Sequence, residues 1–289
     1  MLEIYSPSGK EEKLALLLKD EMNSLGFKNV RLDKAGNIYG EIGENHPAIL
    51  LCGHMDTVPG WMPVRLDGDR LYGRGAVDAK SSLAAMIVAA SRLMMKNENY
   101  GRVIVAGVVD EERKARGIRQ LIREGLDVDY AIFGEPSGVG NITFAYKGRL
   151  HLKITCRTEA GHVGAQHRLK NAIEEAYNVW AKIKGVFEAK ASPHGIFYSP
   201  TPCIIRIRGG GLSGATPDRC TIEVDLRLPP TIRCKRAEEI IREEIIKYKM
   251  GNPEVSIEFK VSDKVEPFVA DRRSPLMNAL KEAIEEILK

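Results

Sequence analysis

Cysteine is scarce and unpaired in pattern: Cys52, Cys156, Cys203, Cys220 and Cys234 are odd in number, and no two form a Cys-x-x-Cys pair. This excludes a disulfide framework and a thiolate zinc knuckle, and leaves packed thiols. No apolar run approaches the length of a membrane-spanning helix, so a membrane protein is not expected. The N-terminus, Met1-Leu2-Glu3-Ile4-Tyr5, lacks the basic-then-apolar order of a signal peptide, which predicts a cytoplasmic protein. Basic residues form no tract and the formal net charge is only +4, so nucleic-acid binding is not expected, although a mildly basic face suits an acidic partner. Against these absences, 44% hydrophobic and 28% charged residues over a 289-residue chain describe a folded globular protein long enough for two domains.

Hydrophobic periodicity divides the chain. Leu14, Leu17 and Leu18 repeat at helical spacing, and Ala48 to Cys52 is a short continuous apolar run that reads as a buried strand. Leu83, Met86, Ile87, Ala90, Leu93 and Met94 mark a second helix, followed by apolar strands at Val103 to Val109 and Tyr130 to Phe133. This alternation predicts a layered α/β domain with a central, mostly parallel sheet. After about residue 147 the pattern changes. Arg149 to Thr158 alternates apolar with polar residues, as in a strand solvated on one face. A helix with Leu169, Ala172, Ile173, Ala176, Trp180 and Ile183 on its stripe comes next. Strands at Cys203 to Arg208 and Cys220 to Leu228 flank the turn-rich run Gly209 to Gly214. A helix over Ala237 to Tyr248 and a strand over Val255 to Val261 complete a β-α-β-β-α-β order, the split βαβ arrangement of an α+β, ferredoxin-like insert. The expected domains are therefore 1–147 with 263–289, and 148–262. The last segment predicts a helix capped by Ser274, with Pro275 in its first turn and Leu276, Leu280 and Ile284 on its buried stripe.

Acidic residues and one histidine fall where strands of the first domain end. His54 and Asp56 follow the Ala48 run, Glu111 and Glu112 follow the Val103 run, and Glu135 follows Phe133, while Asp78 stands where a Gly-rich loop enters a helix. Imidazole and carboxylates suit zinc-class cations, and ligands gather at this edge of an open α/β sheet. A carboxylate shared between two such cations is a common device for hydrolysis at neutral pH. Asp56 is placed to accept the imidazole N–H that faces away from the metal. Successive side chains diverge on an extended backbone, so one of Glu111 and Glu112 binds metal while the other is free to act as a general base. Singly, each has a plain structural reading: Asp78 as a helix cap, the glutamates as first-turn acids, His54 as a core histidine. Their joint occurrence favours metal. His46, His151, His167 and His194 have no such company and read as surface or loop residues. Gly209 to Gly211 lacks the Gly-Lys-Ser/Thr continuation of a phosphate loop and reads as a turn.

Four ordered motifs, Gly53-His54-Met55-Asp56-Thr57-Val58-Pro59, Gly73-Arg74-Gly75-Ala76-Val77-Asp78-Ala79-Lys80, Asp110-Glu111-Glu112 and Gly134-Glu135-Pro136-Ser137, resemble those of the di-zinc aminoacylase and carboxypeptidase G family. That family includes acetylornithine deacetylase and succinyl-diaminopimelate desuccinylase. The resemblance implies a catalytic domain with an inserted lid that forms a homodimer. It further implies two Zn2+, or Co2+, with Asp78 bridging, His54 and Glu135 completing one site, Glu112 serving the other, and Glu111 as base. Ala160-Gly161-His162 is similar to the segment whose histidine polarises the scissile carbonyl, and Asp225-Leu226-Arg227 to the strand whose arginine holds a substrate carboxylate. As plain structure, His162 is loop punctuation and Arg227 an exposed ion-pair partner. Gly214 stands where many relatives carry an asparagine that holds substrate.

Within the family, Thr201-Pro202-Cys203, Gly209-Gly210, Thr216-Pro217-Asp218-Arg219-Cys220 and Phe133-Gly134-Glu135-Pro136 most resemble hydrolases that release lysine or ornithine from the acidic amino-group carrier protein LysW. The expected function is hydrolysis of an amide or isopeptide bond in lysine or arginine biosynthesis. The alternatives are a deacylase resembling acetylornithine deacetylase or succinyl-diaminopimelate desuccinylase, and a non-catalytic remnant. The family pattern continues past the helix at 274–288 with a Gly-rich loop, a strand and a last metal-binding histidine that this sequence does not contain. A C-terminally incomplete chain is therefore expected, with activity dependent on the missing part.

Overall fold

The computed structural model describes residues 1–96, 100–211 and 213–289. Leu212, within the turn-rich Gly209 to Gly214 run, lies outside the described residues. Two compact units divide the chain, Met1–Asn141 and Ile142–Lys289.

The first unit runs α1 (Glu12–Ser24), β1 (Lys28–Leu32), β2 (Ile38–Ile42), β3 (Ala48–His54), a hairpin of β4 (Arg65–Asp67) and β5 (Arg70–Tyr72), α2 (Lys80–Leu93), β6 (Arg102–Val108), α3 (Arg116–Glu124) and β7 (Tyr130–Phe133). Five strands form one sheet in the order β1-β2-β6-β3-β7. Only β6-β3 and β3-β7 pair in parallel; β1-β2 and β2-β6 are antiparallel. The sheet is thus mixed rather than mostly parallel. The periodicity had no hold on β1, whose residues are largely exposed, and β1 and β2 turn back on each other through the short Asp33–Asn37 loop instead of crossing over by a helix. Leu14, Leu18, Leu83 and Ile87 of α1 and α2 pack with Ile38, Val103 and Val105 on one side, and Leu121 of α3 with Leu50, Ile104 and Ala106 on the other. Burial from both faces is why β3 and β6 read as unbroken apolar runs.

The second unit runs β8 (Ala145–Tyr146), β9 (Gly148–Arg157), β10 (Gly161–His162), α4 (Ala172–Glu188), β11 (Thr201–Gly209), β12 (Ala215–Thr216), β13 (Arg219–Leu228), α5 (Cys234–Gly251), β14 (Ser256–Val265), β15 (Phe268–Val269) and α6 (Pro275–Ile287). The main sheet, β11-β13-β9-β14, is antiparallel throughout. Alternate residues of β9 and β13, Leu150, Leu152, Ile154, Ile222, Val224 and Leu226, are buried against Ala176, Trp180, Ile183 and Phe187 of α4 and Ile241 of α5. Each such side chain contributes about 1.5–3 kcal/mol on burial. The helix at Ala172 begins after Asn171, whose side chain accepts the Ile173 N–H, so Leu169 stands outside it.

The C-terminal stretch differs from the sequence expectation in two ways. Residues 263–289, assigned from sequence to the first domain, group with the second unit: β14 continues to Val265 and β15 pairs with β8, with Phe268 stacked on Tyr146 at 5.8 Å. The division between units also falls after Asn141 rather than after 147. Ser274 does cap α6, accepting the Met277 N–H, but Met277 is the buried residue there; Leu276, Leu280 and Ile284 are only half-buried, because no element among the described residues covers them fully.

Candidate metal centre

β6, β3 and β7 are adjacent and parallel, so their C-terminal ends open onto the same sheet edge. His54 is the last residue of β3, Asp110-Glu111-Glu112 follows β6, and Glu135 follows β7. Asp78 enters from the loop before α2. That helix lies close on the sheet: a Cβ on Gly53 would come within 3.1 Å of Leu83 Cβ, and one on Gly134 within 2.8 Å of Ser82 Cβ. Glycine at these two strand ends therefore lets the first turn of α2 seat itself and brings Asp78 over the edge.

His54 is 1% exposed. Its Nε2 lies 2.8 Å from Asp78 Oδ1 and 4.0 Å from Glu135 Oε2. Donor atoms of His54, Asp78 and Glu112 all lie within 4.8 Å of one another. Asp78 and Glu135 keep about half of their side-chain surface open to solvent, which leaves room for water or substrate on one side of a buried imidazole.

Asp56 works differently from the sequence expectation. The nearest acceptor for His54 Nδ1 is the Asp56 main-chain oxygen at 2.9 Å, while the carboxylate stands 3.6 Å away. That carboxylate instead accepts the N–H groups of Glu111 and Glu112, at 3.0 and 3.1 Å, and the Ser8 hydroxyl at 2.7 Å. Asp56 thus fixes the imidazole through its backbone and the glutamate pair through its side chain.

The electrostatics are those of a crowded anion cluster. Burial raises the carboxyls of Glu111, Glu112 and Glu135 above the ordinary value; neighbouring carboxylates push the same way, while His54 and, at Glu112, a hydrogen bond from the Val58 backbone oppose them. Burial alone would lower the His54 pKa, but the hydrogen bonds with Asp56 and Asp78 and the Glu135 charge outweigh it and push it up to about 10. Asp78, Glu112 and Glu135, gathered about one imidazole with no lysine or arginine raising or lowering their charge, form a donor set that suits zinc-class cations.

The other two sequence candidates belong to the second unit. His162 is exposed at the end of β10, and its Nδ1 accepts the Gly164 N–H at 3.0 Å, which leaves the ring proton on Nε2 as a donor. Arg227 is half-exposed and donates from Nε to Asp225 Oδ1 at 2.7 Å, while Arg149 Nε donates to the other oxygen at 2.6 Å. Sequence reasoning missed Glu11 and Asn37, which accept N–H groups of the loop after β6 from positions far from it in the chain, and Ser8, which donates to Asp56. Each is a single polar residue outside any metal motif.

Residues 50–289 match the profile of peptidase family M20/M25/M40. The chain belongs to that family. A relative of this M20-family chain in Pyrococcus abyssi is 44% identical over 193 residues, 65% of this chain and 52% of its own length. The LysW-lysine/LysW-ornithine hydrolase of Sulfurisphaera tokodaii is 30% identical over 284 residues, 98% of this chain and 75% of its own length. An M20 family metallo-carboxypeptidase from Sulfolobus solfataricus has the same fold, with a TM-score of 0.79 at 19% identity over 99% of this chain and 81% of its own. The chain thus spans about half the length of the first curated relatives it matches.

Proposed function

We propose that this chain serves a metal-dependent hydrolase that cuts an amide or isopeptide bond to release lysine or ornithine from an acidic amino-group carrier protein. The observation that carries the reading is the meeting of His54, Asp78, Glu112 and Glu135 at the ends of three adjacent parallel strands. The named activity of the Sulfurisphaera tokodaii relative supports the substrate class.

In this reading His54 and Glu135 would hold one cation and Glu112 the other, with Asp78 shared between the two. Zn2+ or Co2+ bound there would polarise the scissile carbonyl and acidify a water. Glu111 takes the water proton and returns it to the leaving amine, a role suited to a carboxyl raised by partial burial and by Glu112, Asp56 and Asp78. Asp56 keeps Glu111 and Glu112 aimed apart, one as base and one as ligand. His162, with its proton on Nε2, donates to the developing oxyanion, and Arg227 binds a substrate carboxylate with a guanidinium already oriented by Asp225. We further assign residues 148–262 to a ferredoxin-like lid through which two copies pair. The enzyme is assigned to the cytoplasm.

Glu111→Gln tests the mechanism. Turnover of carrier-linked lysine or ornithine is expected to fall by about 10²–10⁴-fold, the usual contribution of general acid–base catalysis. Metal content measured by elemental analysis stays the same. Undiminished turnover removes Glu111 from the role, and a panel that includes acetylornithine separates carrier release from simple deacylation.

A further inference from the structure

The loop that presents Glu111 and Glu112 is held by an unusual set of acceptors. Four consecutive main-chain N–H groups each donate to a side-chain oxygen from elsewhere: Val109 to Asn37 Oδ1 at 3.0 Å, Asp110 to Glu11 Oε1 at 2.9 Å, Glu111 to Asp56 Oδ1 at 3.0 Å and Glu112 to Asp56 Oδ2 at 3.1 Å. Backbone N–H groups near a sheet edge ordinarily find backbone, water or a single cap. Here three segments converge on one stretch of four residues.

Glu11 is the least expected member. It is 3% exposed, and no hydrogen bond or ion pair to a lysine or arginine is among its described contacts. Its one oxygen accepts both Gly9 N–H, at 2.9 Å, and Asp110 N–H, ninety-nine positions along the chain. Ser8-Gly9-Lys10-Glu11 before α1 has the spelling of a helix capping box, in which Ser8 would bind the Glu11 N–H and Glu11 the Ser8 N–H. The structure uses neither bond. Ser8 donates to the Asp56 carboxylate, and Glu11 turns away from its own helix to Asp110. Asp110 has a φ of 59°, the left-handed region that a residue with a side chain seldom enters, so its backbone direction needs an outside restraint. Residues 6 and 7 are tied to the same place: Ser6 O accepts the Thr57 N–H at 3.0 Å, Ser6 Oγ donates to Met55 O at 2.8 Å, and Pro7 bridges to Thr57.

We infer that residues 6–11 form a strap that positions the Glu111–Glu112 pair, with Glu11 as its main positioning residue and Ser8 acting through Asp56. The inference rests on the metal reading above. Glu11 touches neither substrate nor cation; it sets the backbone turn from which one glutamate faces the cation pair and the other faces the water.

The test compares the wild-type chain with Glu11→Ala, Glu11→Gln and Ser8→Ala by amide hydrogen exchange at residues 109–112 and by Zn2+ binding in equilibrium dialysis. Glu11→Ala is expected to speed exchange at Asp110 and to weaken Zn2+ binding about 10–100-fold, the usual cost of removing a group that orients a ligand. Glu11→Gln, which keeps a carbonyl oxygen for the Gly9 and Asp110 N–H groups, restores both. Ser8→Ala gives a smaller loss on the same readouts and carries the test should Glu11→Ala not fold. Unchanged exchange at Asp110 or unchanged Zn2+ affinity in Glu11→Ala overturns the inference, as does unchanged exchange at Glu111 and Glu112 or unchanged Zn2+ affinity in Ser8→Ala where that variant carries the test. So does Glu11→Gln failing as badly as Glu11→Ala. A wild-type chain that binds no Zn2+ counts against the metal reading alone, because exchange at Asp110 still decides whether Glu11 holds the loop.

Discussion

In the first unit, Glu111, Glu112 and Glu135 crowd around one histidine and are all held above their ordinary pKa. In the second, Glu223 lies 3.1 Å from Lys153 and 4.0 Å from Arg206, and the hydrogen bond with Lys153 holds it below the ordinary range. Asp225 likewise sits between Arg149 and Arg227. All of the chain's net positive charge resides in this second unit. The carboxylates of the second sheet arrive with their cations; those gathered without one at the ends of β3, β6 and β7 mark a site where something else must supply the charge. The contrast separates the candidate centre from the ion pairs of the sheet more sharply than exposure or spacing alone.

Four measurements press on that contrast. The largest effect is expected from metal itself: Zn2+ at a hundred times its dissociation constant stabilises the wild-type chain by about 2.7 kcal/mol, and a chelator reverses this. Asp78→Ala should show no Zn2+ effect in the same thermal melts; a retained shift would place the binding elsewhere. Next, Asp225→Asn should cost about 1–2 kcal/mol in urea unfolding, less than a fully buried pair because Arg149 and Arg227 reach solvent. Glu112→Gln should act with the opposite sign. Without metal it relieves like-charge crowding and stabilises the chain by roughly 0.5–1 kcal/mol while weakening Zn2+ binding. A destabilised metal-free Glu112→Gln protein would mean that the carboxylate is structurally paired after all.

The smallest effect concerns the far edge of the first sheet, where His46 Nδ1 meets Asp129 Oδ2 at 2.6 Å. The Asp129 hydrogen bond raises the His46 pKa above 6.5, so that contribution is complete below 6.5 and is lost as pH rises through the folded value. Hydrogen bonds from Ala48 N–H and His46 lower Asp129 below 3.8, so its contribution holds above 3.8 and is lost as pH falls through the folded value. The stability difference between wild type and His46→Ala should therefore be greatest between about pH 4 and 6.5 and shrink at alkaline pH. A difference that grows with pH would contradict this pairing.

Much of this was legible from the chain alone, for identifiable reasons. β3 and β6 announced themselves because helices bury both of their faces, and β9 because helices cover only one. His54, Asp78, Glu112 and Glu135 were found because each directly follows or precedes such an element. What escaped was set by pairing rather than by pattern. The exposed β1 has no apolar period, two-residue strands such as β8 and β15 are too short to show one, and the antiparallel turn from β1 to β2 makes the sheet mixed. Asp56 was recognised as a partner of His54, but its hold on Glu111 and Glu112 depends on contacts more than fifty residues apart. Glu11 stands directly before α1, outside every metal motif, and its bond to Asp110 spans ninety-nine positions.

The seating of α2 on Gly53 and Gly134 carries a consequence for how such a protein diversifies. The gap between Asp78 and the strand-end ligands is fixed by how closely a helix lies on a sheet, a dimension set in the hydrophobic interior and insensitive to changes in surface loops. Specificity is thereby free to drift through exposed segments while the cation spacing is inherited intact, and a single methyl group at either glycine should disturb the spacing more than the rebuilding of an entire outer loop.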